Sequence, residues 1–134
     1  MDVLYPRLLV RDFPACAAFY QAVLRELLGV EPARFLPGYA SWDIEGQTGL
    51  SLFGRGMIAE AVGTADLPRA AQNPVQDSAM LVMKVDDVDK AADCLTRHGA
   101  TVAAPPQDRP DWGPTLRTAH LRDPEGNLIE VQSY

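Results

Sequence analysis

The stretch that decides the fold is the last sixteen residues, Ala119-His-Leu-Arg-Asp-Pro-Glu-Gly-Asn-Leu-Ile-Glu-Val-Gln-Ser-Tyr134. Two runs of alternating apolar and polar residues flank Asp123-Pro-Glu-Gly-Asn127, the composition of a tight turn between antiparallel strands. Pro124 and Glu125 suit the central positions of a type I turn, and Gly126 suits the left-handed position that closes a three-residue hairpin with a bulge. If Asp123 flanks Asn127, counting back pairs Leu121 with Ile129 and His120 with Glu130, imidazole beside carboxylate on one face. A one-residue slip would reverse the faces, so the pairing rests on the turn type.

Working outward, residues 79–100 place a short apolar strand, then Asp87 as helix cap, then Val88, Ala91, Ala92 and Leu95 at helical spacing, with Gly99 as the stop. Residues 8–28 have the same plan. Asp12 is the cap, Pro14 lies in the first turn where its missing amide costs nothing, and Phe13, Ala17, Tyr20, Leu24 and Leu27 or Leu28 face inward. Val10 and Val85, Asp12 and Asp87, and Ala17 and Ala92 correspond at one offset of 75. Tyr39–Gly54 in the first half reads as a hairpin, as Arg117–Gln132 does in the second. The expectation is an α+β fold of two pseudo-symmetric βαβββ modules sharing one curved mixed sheet or half-barrel. It is a single domain over 1–134, with module one at about 1–54, a linker with room for one short helix at about 55–78, and module two at about 79–134.

A length of 134 residues, 47% apolar and 22% charged, is enough for a packed core. The first residues lack a basic start followed by a long apolar run, and no stretch approaches a membrane span, so a cytoplasmic protein with no membrane partner is expected. Cys16 and Cys94 each lie in a helix-like, Ala- and Leu-rich stretch and read as buried thiols, not as a disulfide or metal pair. A net charge of −6 without a basic block argues against a nucleic-acid partner and favours a cation if the ligand is charged.

The strand Leu8–Asp12 leading to Ala18–Leu24, the second pattern Val85–Leu95, and above all Arg122–Val131 resemble the vicinal oxygen chelate superfamily of glyoxalases, extradiol dioxygenases and bleomycin-resistance proteins. The resemblance spans nearly the whole chain. It implies paired modules around a cavity, in a homodimer, and metal ligands on the first and last strand of each module. Those positions hold Tyr5, Ser51 (or Leu50 if the register slips), Met80 and Glu130 here, and only Glu130 is an ordinary ligand for a divalent ion. The expectation is therefore no bound metal and no cofactor.

The resemblance also implies that members without the ligands keep the cavity for binding, as bleomycin-resistance proteins do. Trp112-Gly113, before the final hairpin, matches a Trp-Gly pair near the ligand in drug-binding relatives. The Pro-rich stretch 104–117 reads as a loop over the site, with Trp112 as a stacking surface. The candidate ligand-binding residues are Tyr5, Ser51, Met80, Trp112, His120, Glu130, Trp42 and Phe53. Tyr39 and Trp42 fall on opposite strand faces, so one of them belongs to the core. His98 reads as a partner of the helix dipole, and Arg117 and Arg122 as partners either of a ligand anion or of Asp111, Asp123 and Glu125 nearby, with surface pairing the favoured use.

The first functional expectation is a metal-independent protein that sequesters a hydrophobic or aromatic small molecule, such as a peptide-type or DNA-binding antibiotic, for self-resistance or transport. The alternative is a glyoxalase- or dioxygenase-type lyase or isomerase acting through His120 and Glu130 or a metal. A third reading is an interaction subunit with a filled interior.

Overall fold

The computed structural model describes residues 3–68 and 76–134, and the chain divides into two compact units, Met1–Ala71 and Gln72–Tyr134. The 69–75 part of the expected linker lies outside the described residues.

In the first unit, β1 (Arg7–Val10) leads into α1 (Phe13–Leu28), β2 (Pro32–Leu36), β3 (Tyr39–Ile44), β4 (Gln47–Gly54) and the short helix α2 (Arg55–Ala61). The strands form one mixed sheet in the order β1-β4-β3-β2, with β1 parallel to β4 and the other pairs antiparallel. Asp12 caps α1 by accepting a hydrogen bond from the Ala15 amide, with proline in the first turn. Glu45-Gly46, both at positive φ, make the two-residue turn that joins β3 to β4.

Strand alternation then sorts the side chains. Val10, Ala40, Trp42, Leu50 and Leu52 are buried toward α1, where Phe13, Ala17, Tyr20, Val23 and Leu24 are also buried. The Tyr20 and Trp42 rings lie 6.4 Å apart, and Phe13 meets Phe35 edge-on at 6.2 Å. Of the two residues offered for the end of the helical stripe, Leu28 is exposed and Leu27 half-buried.

The second unit repeats the order: β5 (Met80–Lys84), α3 (Val88–Arg97), β6 (Thr101–Asp108), β7 (Arg117–Arg122) and β8 (Leu128–Ser133). Its sheet runs β5-β8-β7-β6, again with the first pair parallel. Asp87 caps α3 through the Lys90 amide. Leu121, Ala119, Ile129 and Val131 are buried on the α3 side, with Val88, Ala91, Ala92 and Leu95 of the helix. Cys16 and Cys94 are buried on their helices.

The stretch 104–117 is shorter as a loop than its prolines suggested. β6 continues through Pro105 and Pro106 to Asp108, which pairs with Arg117, so the connection is 109–116. Proline lacks a ladder donor and is accepted here because β6 is an edge strand, and the register shifts between Ala104 and Gln107. Among the described residues no helix is long and apolar enough to cross a membrane.

Candidate functional site

Each sheet has one face against its helix and one turned away from it, and the far faces carry the polar chemistry. In module two the final hairpin builds that face. The Gly126 amide donates to the Asp123 carbonyl at 2.9 Å, the Asp123 amide to the Asn127 carbonyl at 3.0 Å, and Gly126 has φ 89°. The Asp123 carboxylate accepts from the Glu125 and Asn127 amides and from Asn127 Nδ2, which locks the turn. With the turn fixed, the register follows: His120 opposite Glu130, Leu121 opposite Ile129.

His120 Nε2 and Glu130 Oε2 are in hydrogen-bond contact at 2.7 Å, with the side chains only 13% and 8% exposed. The carboxylate of the apolar terminal strand is thus held by imidazole. Val82 flanks Glu130 on β5, Ala104 flanks His120 on β6, and Met80 lies on the same face, 44% exposed.

The 109–116 connection is closed on itself. The Arg109 amide donates to the Leu116 carbonyl, and the Trp112 and Gly113 amides both donate to the Arg109 carbonyl. Trp112 is 60% exposed, its ring edge-on to His120 at 6.1 Å, with the Arg109 guanidinium 4.5 Å from the ring centroid. Arg109 is in turn tied through Nε to the buried Thr118 hydroxyl. The structure brings Trp112, His120 and Glu130 together in one module, with an indole held in the open by a stacked guanidinium.

Module one presents a different face. Arg7 on β1 pairs across the sheet with Ser51 on β4, which pairs with Ser41 on β3. These are the counterparts of Val82, Glu130 and His120 in the second sheet. Ser51, fully buried, is therefore the residue equivalent to Glu130, while Leu50 faces α1. Arg7 Nε donates to Ser51 Oγ at 2.9 Å, and Nη2 donates to the Tyr5 hydroxyl at 3.1 Å. The guanidinium carbon lies 5.8 Å from the Tyr5 ring and 5.6 Å from each of the Tyr39 and Phe53 rings.

Trp42 does not belong to this face. Its side chain is fully buried toward α1 against Tyr20, and its indole N–H meets no acceptor among the described residues. Trp42 is therefore a core residue and not, as expected from the sequence, a ligand-binding one. Alternation gives the face to Tyr39, which packs edge-on to Phe53 at 5.8 Å.

Sequence reasoning passed over Arg7 and Arg109. Arg7 was legible in principle, since it stands two residues after Tyr5, within reach of its hydroxyl. Arg117 and Arg122 pair on the surface, but with other partners than those expected. Arg117 takes Asp89 and Asp108, and Arg122 takes Asp77 and the Gly126 carbonyl. These contacts hold the Asp77 and Asp89 carboxyls below the usual range, chiefly by hydrogen bonding to the guanidinium. A separate cleft of about 550 Å³ in module one, lined by Arg11, Arg55, Glu60 and Thr64 among others, contains none of the candidate residues.

A model of the Glyoxalase/Bleomycin resistance protein/Dioxygenase superfamily matches residues 3–131. The chain belongs to that superfamily. The uncharacterized protein YraH of Bacillus subtilis (strain 168) is 37% identical over 134 residues, covering 98% of this chain and 97% of its own length. A glyoxalase-related enzyme from Fulvimarina pelagi has the same fold at TM-score 0.76 and 21% identity, over 100% of this chain and 88% of that one. An integron cassette protein from V. cholerae is 28% identical at TM-score 0.62, over 100% of this chain and 98% of that one.

The superfamily's metal positions can now be tested against the donors present. In module one both hydroxyls, Tyr5 and Ser51, accept from a single guanidinium, which places a fixed positive charge where a divalent ion would need anionic or imidazole donors. In module two Met80 offers a thioether, and one Glu130 oxygen is engaged by His120. These residues do not fit a divalent ion.

Proposed function

We propose that this protein is a metal-independent binding protein for a hydrophobic or aromatic small molecule, acting by sequestration in self-resistance or transport. The observation that carries this reading is the Arg7 guanidinium bonded to both module-one hydroxyls that stand in the superfamily's ligand positions. Aromatic surface beside polar groups supports it further. Trp112, His120 and Glu130 on one sheet, and Tyr5, Tyr39 and Phe53 around Arg7 on the other, combine apolar area with a few directional donors and acceptors. Cytoplasmic location and a homodimer complete the proposal.

Equilibrium dialysis against planar and peptide-type antibiotics, with tryptophan fluorescence as a second readout, tests it. The expected result is at least one ligand bound well below millimolar concentration, where binding is worth only about 4 kcal/mol. Substitution of Trp112 by Ala should weaken that binding. A panel with no binding below millimolar would reject the reading.

The second reading, a lyase or isomerase using His120 and Glu130 as an acid-base pair, draws on their 2.7 Å contact and shared burial. It predicts turnover of a glyoxalase-type substrate that Glu130→Gln abolishes. The binding reading predicts no turnover in either protein.

A further inference from the structure

We propose that the far face of module one is a carboxylate-recognition subsite, in which Arg7 takes the carboxylate of an aromatic acid. This deepens, and rests on, the binding-protein reading. It also reverses the sign expected from the net charge, because the local charge at the site decides which ionic group docks there.

Arg7 is held in place without being neutralised. Among the described residues its hydrogen-bond partners are the Ser51 and Tyr5 hydroxyls, and it has no carboxylate partner. The contrast with Arg25, Arg117 and Arg122 is direct, since each of those grips a carboxylate. In a chain with 18 acidic residues, a guanidinium positioned by two neutral acceptors keeps its full charge for something else.

The donor count fits a carboxylate. A guanidinium has five N–H groups in a planar fork, and the two hydroxyls take one on Nε and one on Nη2. Both N–H groups of Nη1 and one of Nη2 remain, three donors for the two oxygens of a carboxylate. Ser51 is fully buried, so the anchoring bond is shielded from water, whereas Arg7 itself is exposed and can be reached.

The surroundings select for more than charge. Three aromatic rings stand within 6 Å of the guanidinium carbon, and Tyr39 and Phe53 form a continuous apolar wall beside it. Such rings prefer the flat body of an aromatic acid to a hydrated inorganic anion, because stacking area is gained as water leaves.

The test uses the full-length protein with naphthalene-2-carboxylate and naphthalene-2-carboxamide as matched probes in equilibrium dialysis, with uncharged naphthalene as a neutral reference. The carboxylate should bind about tenfold or more tighter than the amide, as a charge-assisted bidentate contact requires. In Arg7→Met that ratio should fall to about unity, and in Arg7→Lys, which keeps the charge but loses the fork, to an intermediate value. Thermal unfolding of each variant verifies that it is folded. A preference that is absent from the wild type, or that survives in Arg7→Met, overturns the subsite while the binding-protein reading stands if naphthalene or the amide binds. If no probe binds and the antibiotic panel also fails, both fall together.

Discussion

The two sheets share strand order, helix capping and register, yet the equivalent triplets on their far faces differ completely. Module two has Val82, Glu130 and His120, and module one has Arg7, Ser51 and Ser41. In the first triplet a buried carboxylate is answered by imidazole on the neighbouring strand. In the second the acid is replaced by a hydroxyl and a cation arrives from the next strand. One scaffold therefore supports opposite local charges, and the difference teaches that the chemistry of this fold resides in a few face positions that packing leaves free to vary.

The tryptophans sharpen that separation of scaffold from site most strongly. Trp42, fully buried, should cost about 3–5 kcal/mol of stability when replaced by Ala, measured by urea unfolding. Trp42→Phe should cost much less, because it also removes an indole N–H that meets no acceptor. Trp112→Ala should leave the unfolding midpoint nearly unchanged and instead weaken ligand binding. Equal stability losses at the two positions would break the distinction.

The face triplets come next. His120→Ala leaves the Glu130 carboxylate buried without its partner and should cost about 1–3 kcal/mol. Ser51→Ala removes one bond to an exposed guanidinium and should cost about 1 kcal/mol or less. A reversed order would show that Ser51 carries the greater structural role. Asp123→Ala, which strips three bonds from the turn, should cost about 1–2 kcal/mol and should disturb the His120–Glu130 register, visible in amide exchange of β8.

The smallest effect is that of the exposed ion pairs. Asp77 and Asp89 have depressed folded-state pKa values, so their contribution is present above the ordinary Asp range near pH ~3.9 and is lost as pH falls through the lower folded values. Asp89→Asn should flatten the acid limb of the stability profile slightly, and added salt should shrink the difference. An effect at neutral pH comparable with that of His120→Ala would contradict this assignment.

Much of the fold was legible because it is written in local rules. Two capping aspartates at one offset of 75 marked both helices, and Asp123-Pro-Glu-Gly-Asn127 fixed the register that puts His120 beside Glu130. The edge strand β6 was hidden because Pro105 and Pro106 normally end a strand, and only sheet position tells that an edge accepts them. At the candidate site, alternation showed that Tyr39 and Trp42 part company but not which one meets α1. That choice depends on the bulk Tyr20 presents from the helix, a tertiary fact. Arg7 was passed over because a lone arginine at a strand start looks like surface charge until its two hydroxyl partners are seen together.

The most direct measurement is probe and antibiotic binding before and after exhaustive chelation, with metal content determined by mass spectrometry on the same samples. We expect superimposable isotherms and substoichiometric metal, because the guanidinium on Ser51 and Tyr5 stands where ligands would be needed. A stoichiometric divalent ion that Glu130→Gln releases, with binding lost alongside it, would contradict the account.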